Sequence, residues 1–123
     1  MILIIYNSFI MTYYLLKIVI TGIIVVLISE VAKINIKLAA VITAMPLITI
    51  LSIIWMHYEG VSNEKIATYV FNTLKYIIYT IPMFLIFPHI IEKTNFYISL
   101  FASVLVVAAF FVSVNYLLKL FNN

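Results

Sequence analysis

From Leu38 to Met56 the chain reads LAAVITAMPLITILSIIWM, nineteen residues without a charged side chain. In a helix rising ~1.5 Å per residue, that length matches the ~30 Å hydrocarbon core of a bilayer. It is one of four such stretches in a chain of 123 residues. Lipid offers no water to backbone amides and carbonyls, so each stretch has to bond internally as a helix. The expected fold class is therefore all-α: a polytopic membrane protein with four transmembrane helices in an up-down bundle.

Composition points the same way. The chain is 67% hydrophobic and 9% charged, with a mean hydropathy of +1.27. Seven lysines and four glutamates, with no Arg and no Asp, cannot coat a soluble domain of this size. The net charge of +3 is scattered one or two lysines per loop. Nucleic-acid binding needs a clustered basic face, so that class of partner is excluded and the lysines are read as anchors at lipid headgroups. There is no Cys, hence no disulfide framework.

The spans are expected at about residues 13–31, 38–57, 64–91 and 96–118, within a single domain over 13–119. Short connections make consecutive helices antiparallel neighbours. Lys17 and Glu30 bracket the apolar core of the first span and can snorkel outward. Gly60 is the expected terminator of the second span and Ser62 the N-cap of the third. Trp55, Tyr58, Tyr97 and Tyr116 fall near the expected interfaces. Residues 1–12 form an apolar N-terminal extension, too short to span and without the basic start of a signal peptide. Three readings of it stay open: an extension of the first helix, an interfacial segment, or translation that begins at Met11.

The third span carries the most chemistry. On a 100° wheel, Thr68, Tyr69, Asn72, Thr73, Lys75, Tyr76, Tyr79 and Thr80 share a sector of roughly 160°, opposite Val70, Phe71, Leu74, Ile77, Ile78 and Ile81. Such a stripe should face protein or water. It is read either as a solute or ion pathway lined by Asn72, Lys75, Tyr76 and Tyr79, or as interhelical hydrogen bonding with Lys75 snorkelling. Glu30, three residues before Lys33, is read either as a proton- or cation-exchanging carboxylate or as half of an interfacial ion pair. His57 and His89 stand alone, without metal spacing. Glu59, Glu64 and Glu92 read as solvated loop charges. Pro46, Pro82 and Pro88 each remove a helical bond and are expected to kink their helices, with Thr43 and Thr80 placed to bond the freed carbonyls. Ser99 and Ser103, then Ala109 and Ser113, repeat a small-residue spacing that lets helices approach closely. With only two glycines there is no phosphate loop or nucleophile elbow, so no enzyme and no cofactor is expected.

Several motifs together resemble a known family. Ser29-Glu30-Val31-Ala32-Lys33, Lys37-Leu38-Ala39-Ala40, Met45-Pro46-Leu47 and Ser52-Ile53-Ile54-Trp55 are joined by Lys65-Ile66-Ala67, Ile81-Pro82, Phe87-Pro88 and Asn95-Phe96-Tyr97. In order and spacing they resemble an uncharacterised family of small four-helix bacterial inner-membrane proteins related to the GlpM-like membrane proteins. The match runs from about Thr12 to Leu118. The resemblance implies a multi-pass protein of the bacterial cytoplasmic (inner) membrane, a four-helix layout and, through the GlpM relatives, an association with alginate production. Members usually begin near the equivalent of Met11. The family defines no catalytic residue to carry over.

Two functions follow as expectations. One is a transporter or channel subunit, acting as a homo-oligomer because a lone four-helix bundle has little room for a path; its substrate is open. Lys17, Lys65, Lys75 and Lys119 lie on one side and Lys33, Lys37 and Lys93 on the other, a bias weak enough to permit dual topology and an antiparallel dimer. The other is a non-transporting accessory subunit of an envelope or polysaccharide (alginate-like) production or export complex.

Overall fold

The computed structural model describes residues 1–122, and their regular structure is helical throughout. The elements are α1 (Ile2–Ile34), α2 (Ile36–Ala44), α3 (Leu47–Tyr58), α4 (Asn63–Ile77), a 3₁₀ turn (Ile78–Thr80), α5 (Ile81–Ile91) and α6 (Phe96–Phe121). Four stretches are long and apolar enough to cross a membrane: Ile2–Ile34, Ile36–Tyr58, Asn63–Ile91 and Phe96–Phe121. The all-α, multi-pass class expected from hydropathy therefore holds. Two compact units divide the chain, Met1–Ile66 and the part from Ala67 onward, with the boundary inside α4.

In the first unit, α1 lies antiparallel to α2 and α3. Asn35 breaks the helix in extended backbone (φ −146°, ψ 98°), and its Oδ1 accepts the Leu38 N–H at 3.0 Å, so α2 starts capped. At the other end, Tyr13 and Lys17 of α1 meet Trp55 and Glu59. The half-buried residues of α1 are Ile10, Tyr13, Lys17, Ile20, Thr21, Ile24, Ile28, Val31 and Ala32. Their spacing of three and four is one helix face. It packs against α2, where Ala39 is buried. Residues before Thr12 continue α1 without interruption.

Pro46 separates α2 from α3. It has no N–H for the Ile42 carbonyl, and the Met45 N–H takes that carbonyl instead at 3.2 Å. At φ −76° and ψ 57°, Pro46 centres an inverse γ-turn that the Leu47 N–H closes onto the Met45 carbonyl at 2.7 Å. Thr43 plays no part in this repair, contrary to expectation: its hydroxyl donates to the Ala39 carbonyl at 2.8 Å. The end of α3 is a Schellman motif. Val61 N–H bonds the Met56 carbonyl and Gly60 N–H the His57 carbonyl, each at 3.0 Å, with Gly60 at φ +78°. This places Glu59 at the C-cap. Ser62 then opens α4, its Oγ 3.4 Å from the Lys65 N–H.

In the second unit, α4 does not pass smoothly into α5. Pro82 leaves the Ile78 carbonyl without its usual donor, and the Ile81 N–H takes it in the tighter 3₁₀ pattern. Thr80 again bonds another carbonyl, that of Ile77, at 2.7 Å. Pro88 lies inside α5, where the neighbouring His89 donates from Nδ1 to the Leu85 carbonyl at 2.8 Å. Helix α5 packs on α6, with Met83, Ile86, Phe87 and Ile90 half-buried on one face. On α6 the matching face carries Ser99 and Ser103, both with no exposed surface, flanked by half-buried Ala102, Val106 and Val107. Small residues there let the two backbones approach. Their hydroxyls are satisfied within the helix: Ser99 donates to the Asn95 carbonyl at 2.9 Å and Ser103 to the Ser99 carbonyl at 2.7 Å. Ala109 and Ser113 of the same small-residue series are exposed and contribute nothing to this seam.

Candidate functional site

Two places in the molecule concentrate polar chemistry among otherwise apolar helices. The first is the face of α4 and the 3₁₀ turn, where Tyr69, Asn72, Thr73, Tyr76, Ile77 and Thr80 line an open groove. Its polar groups are neutral. Thr73 donates to the Tyr69 carbonyl at 2.9 Å, so its oxygen stays available only as an acceptor. Asn72 is exposed, and its amide makes no hydrogen bond among the described residues. An amide facing hydrocarbon without a partner is costly, so this face requires a polar neighbour or water.

The eight-residue stripe expected from the wheel is split by the structure. Lys75 turns away from the groove, with Nζ 4.5 Å from the centre of the Phe71 ring one turn back. Tyr79 turns into the contact between the 3₁₀ turn and α6, its ring 5.0 Å from Phe111 and 6.0 Å from Phe110. Tyr76 stands between, 6.0 Å from Phe111 and bordering the groove. From Ile78 onward the cause is local: a 3₁₀ turn advances about 120° per residue against 100° in an α-helix, so a wheel drawn through Ile78–Thr80 is off by roughly 60° at its end. Upstream of the turn, Lys75 sits at the edge of the polar sector beside Phe71, and Ile77, placed on the apolar face by the wheel, lines the groove.

Glu30 and Lys33 form an i,i+3 ion pair at 2.5 Å in the last turn of α1, with both side chains more than half exposed. The pair lies far from Asn72 in sequence and in the other unit. Among the described residues no group of three or more His, Cys, Asp or Glu is placed to hold a metal.

The second place went unnoticed in the sequence. Lys17 pairs with Glu59, a residue read above as a solvated loop charge, across 42 positions. Lys17 belongs to the inward stripe of α1, and its side chain is 22% exposed against 42% for Glu59. The ammonium lies 4.8 Å from the centre of the Tyr13 ring and 5.6 Å from those of Tyr14 and Trp55. Tyr13 and Trp55 meet edge to face at 5.6 Å. A second groove adjoins, lined by Phe9, Tyr13, Trp55, Tyr58 and Glu59. The Tyr13 hydroxyl is buried there without a partner among the described residues. The signal that could have found this site is the stripe itself: a lysine at the inward spacing of α1 needs an anion on the helix it faces.

The two ion pairs differ in what their loss should do. Glu59→Ala leaves Lys17 on the inward stripe of α1 without its anion and is expected to destabilise the fold measurably. Glu30→Ala is expected to change stability by less than ~0.5 kcal/mol. Reversible unfolding in mixed maltoside and dodecyl sulfate micelles measures both, and equal effects reject the seam reading.

A family model described as BV97_02767-like aligns with residues 11–122. No curated protein and no solved structure matches the chain.

Proposed function

The chain belongs to the BV97_02767-like family, and from that premise we propose that it is a subunit of a homo-oligomeric transporter or channel in the bacterial cytoplasmic membrane. The observation that carries this reading is the groove on α4, with an Asn72 amide that makes no hydrogen bond among the described residues inside a membrane-length helix. One helix face supplies only one wall. A second copy of the chain supplies the other and gives the amide the polar environment it lacks. With Lys75 turned to Phe71, the lining is hydroxyl and amide without charge. That suits a small uncharged polar solute, which exchanges hydrogen bonds with such groups and has no charge to strip of water. Purified protein in liposomes tests the reading. Glycerol entry, followed by light scattering, should be faster than in protein-free vesicles. Permeability equal to the protein-free value for glycerol, erythritol and potassium chloride alike overturns it.

A second reading has its own observation. Tyr76 and Tyr79 are engaged by Phe110 and Phe111, and Thr73 and Thr80 donate to their own helix. A stripe so occupied suits a packing interface in a non-transporting accessory subunit of an envelope or polysaccharide-export complex. Kinship with the GlpM-like membrane proteins belongs to that reading.

Orientation bears on how copies meet. Four spans return the chain to its starting side, and lysine counts of four against three barely set its direction. Dual topology with antiparallel pairing is the proposal. Reporters active only in the cytoplasm or only in the periplasm, each fused to the C-terminus, should both give signal. Two lysines added after Leu118 should shift the balance toward the cytoplasmic reporter. A single active reporter rejects dual topology.

A further inference from the structure

We propose that the groove beside Trp55 is a binding site for alkylammonium groups, with Lys17 serving as a tethered cation that fills the cage in their absence. The site lies in the first unit and does not depend on the α4 groove. Its chemistry is that of organic-cation recognition. Tyr13, Tyr14 and Trp55 present ring surface to a cation within about 6 Å. Glu59 supplies the countercharge, and Lys17 uses only its Oε1, so Oε2 is without a hydrogen bond among the described residues. The cage also opens outward. Phe9 and Tyr58 join Tyr13, Trp55 and Glu59 in the wall of the adjoining groove, and the Tyr13 hydroxyl is buried without a partner among the described residues. A lysine on a flexible four-carbon stem can leave such a cage, because its ammonium reaches water at the helix surface.

The backbone is built to hold the anion in place. The Schellman turn at Gly60 fixes Glu59 at the end of α3, one turn after Trp55, so the carboxylate and the indole share one face. This is also the end of the span Ile36–Tyr58. Two sources of the ligand share the chemistry: the ammonium of a zwitterionic lipid headgroup and a soluble organic cation.

Trp55 is the chain's one tryptophan and reports the site directly. Choline is titrated into the full chain in maltoside micelles at constant ionic strength, with 3,3-dimethylbutan-1-ol as its uncharged isostere. Expected is a saturable change in Trp55 emission with choline and none with the alcohol. Lys17→Met, which removes the competing cation, should lower the apparent Kd about tenfold, and Glu59→Gln should raise it by at least that factor. A purely structural ion pair gives no gain of binding in Lys17→Met. Asn72→Ala should leave the choline response unchanged, which separates this site from the transport reading. Phosphatidylglycerol nanodiscs with and without phosphatidylethanolamine distinguish the sources. A higher choline Kd with the ethanolamine lipid assigns the headgroup, and an unchanged Kd assigns a soluble cation. The absence of a saturable, charge-dependent response in the wild type overturns the proposal. So does an unchanged Kd in a Lys17→Met variant that keeps its helical circular dichroism. If Lys17→Met does not fold, the wild-type and Glu59→Gln titrations decide.

Discussion

Asn72→Ala is expected to lower glycerol flux in proteoliposomes by about tenfold or more. The amide is the only side-chain amide in the lining of the α4 groove, with two donor hydrogens and an acceptor oxygen, whereas Thr73 and Thr80 donate to their own helix. A hydrogen bond lost from a desolvated path costs ~1–3 kcal/mol, a factor of about five to 160 in rate. Lys75→Ala is expected to leave flux within about twofold, because the ammonium sits over Phe71 and away from the groove. Measured on the same vesicle preparation, the two variants read the geometry as well as the function. Equal losses would mean that Lys75 lines the path, as the wheel has it, and does not rest on Phe71. Full flux in Asn72→Ala combined with a less stable oligomer in detergent would leave the stripe as an interface and favour the accessory reading.

Ser103→Leu is expected to pull α5 and α6 apart. Ser103 has no exposed surface and faces a seam where the two backbones approach. A leucine there puts four side-chain heavy atoms where serine has two, in a filled space, and overpacking of that kind costs about 1–3 kcal/mol or more. Ser103→Ala should cost under ~1 kcal/mol, since the hydroxyl donates only to the Ser99 carbonyl one turn back, which keeps its backbone donor. Ser113→Leu, on an exposed position of the same series, should be close to neutral. Unfolding midpoints in dodecyl sulfate titrations order the three. A Ser103→Leu variant as stable as Ser113→Leu would show that small size at position 103 is not what holds the seam.

Much of the molecule follows from sequence because lipid leaves the backbone few options. A run such as Leu38–Met56 has to be helical in hydrocarbon, whatever its neighbours do, so class and span count need no tertiary knowledge. Local caps are similarly self-contained. Gly60 and Ser62 act within four residues of chain, where residue type alone sets the geometry. The limits appear where one residue's position depends on another's. Pro82 is visible in the sequence, but whether its missing donor is answered by a threonine or by a 3₁₀ turn depends on how α4 and α5 pack; the turn rotates Tyr79 onto Phe111 while Lys75, upstream on α4, swings onto Phe71. Lys17 and Glu59 are equally visible, one at the edge of a span and one in a loop. Only the antiparallel register of α1 against α3 brings them together across 42 residues and surrounds the ammonium with Tyr13, Tyr14 and Trp55. Hydropathy is a property of each residue in its solvent, so the sequence by itself determined where the chain resides and how many times it can cross. Side-chain partnership is a property of register, and register is decided by packing.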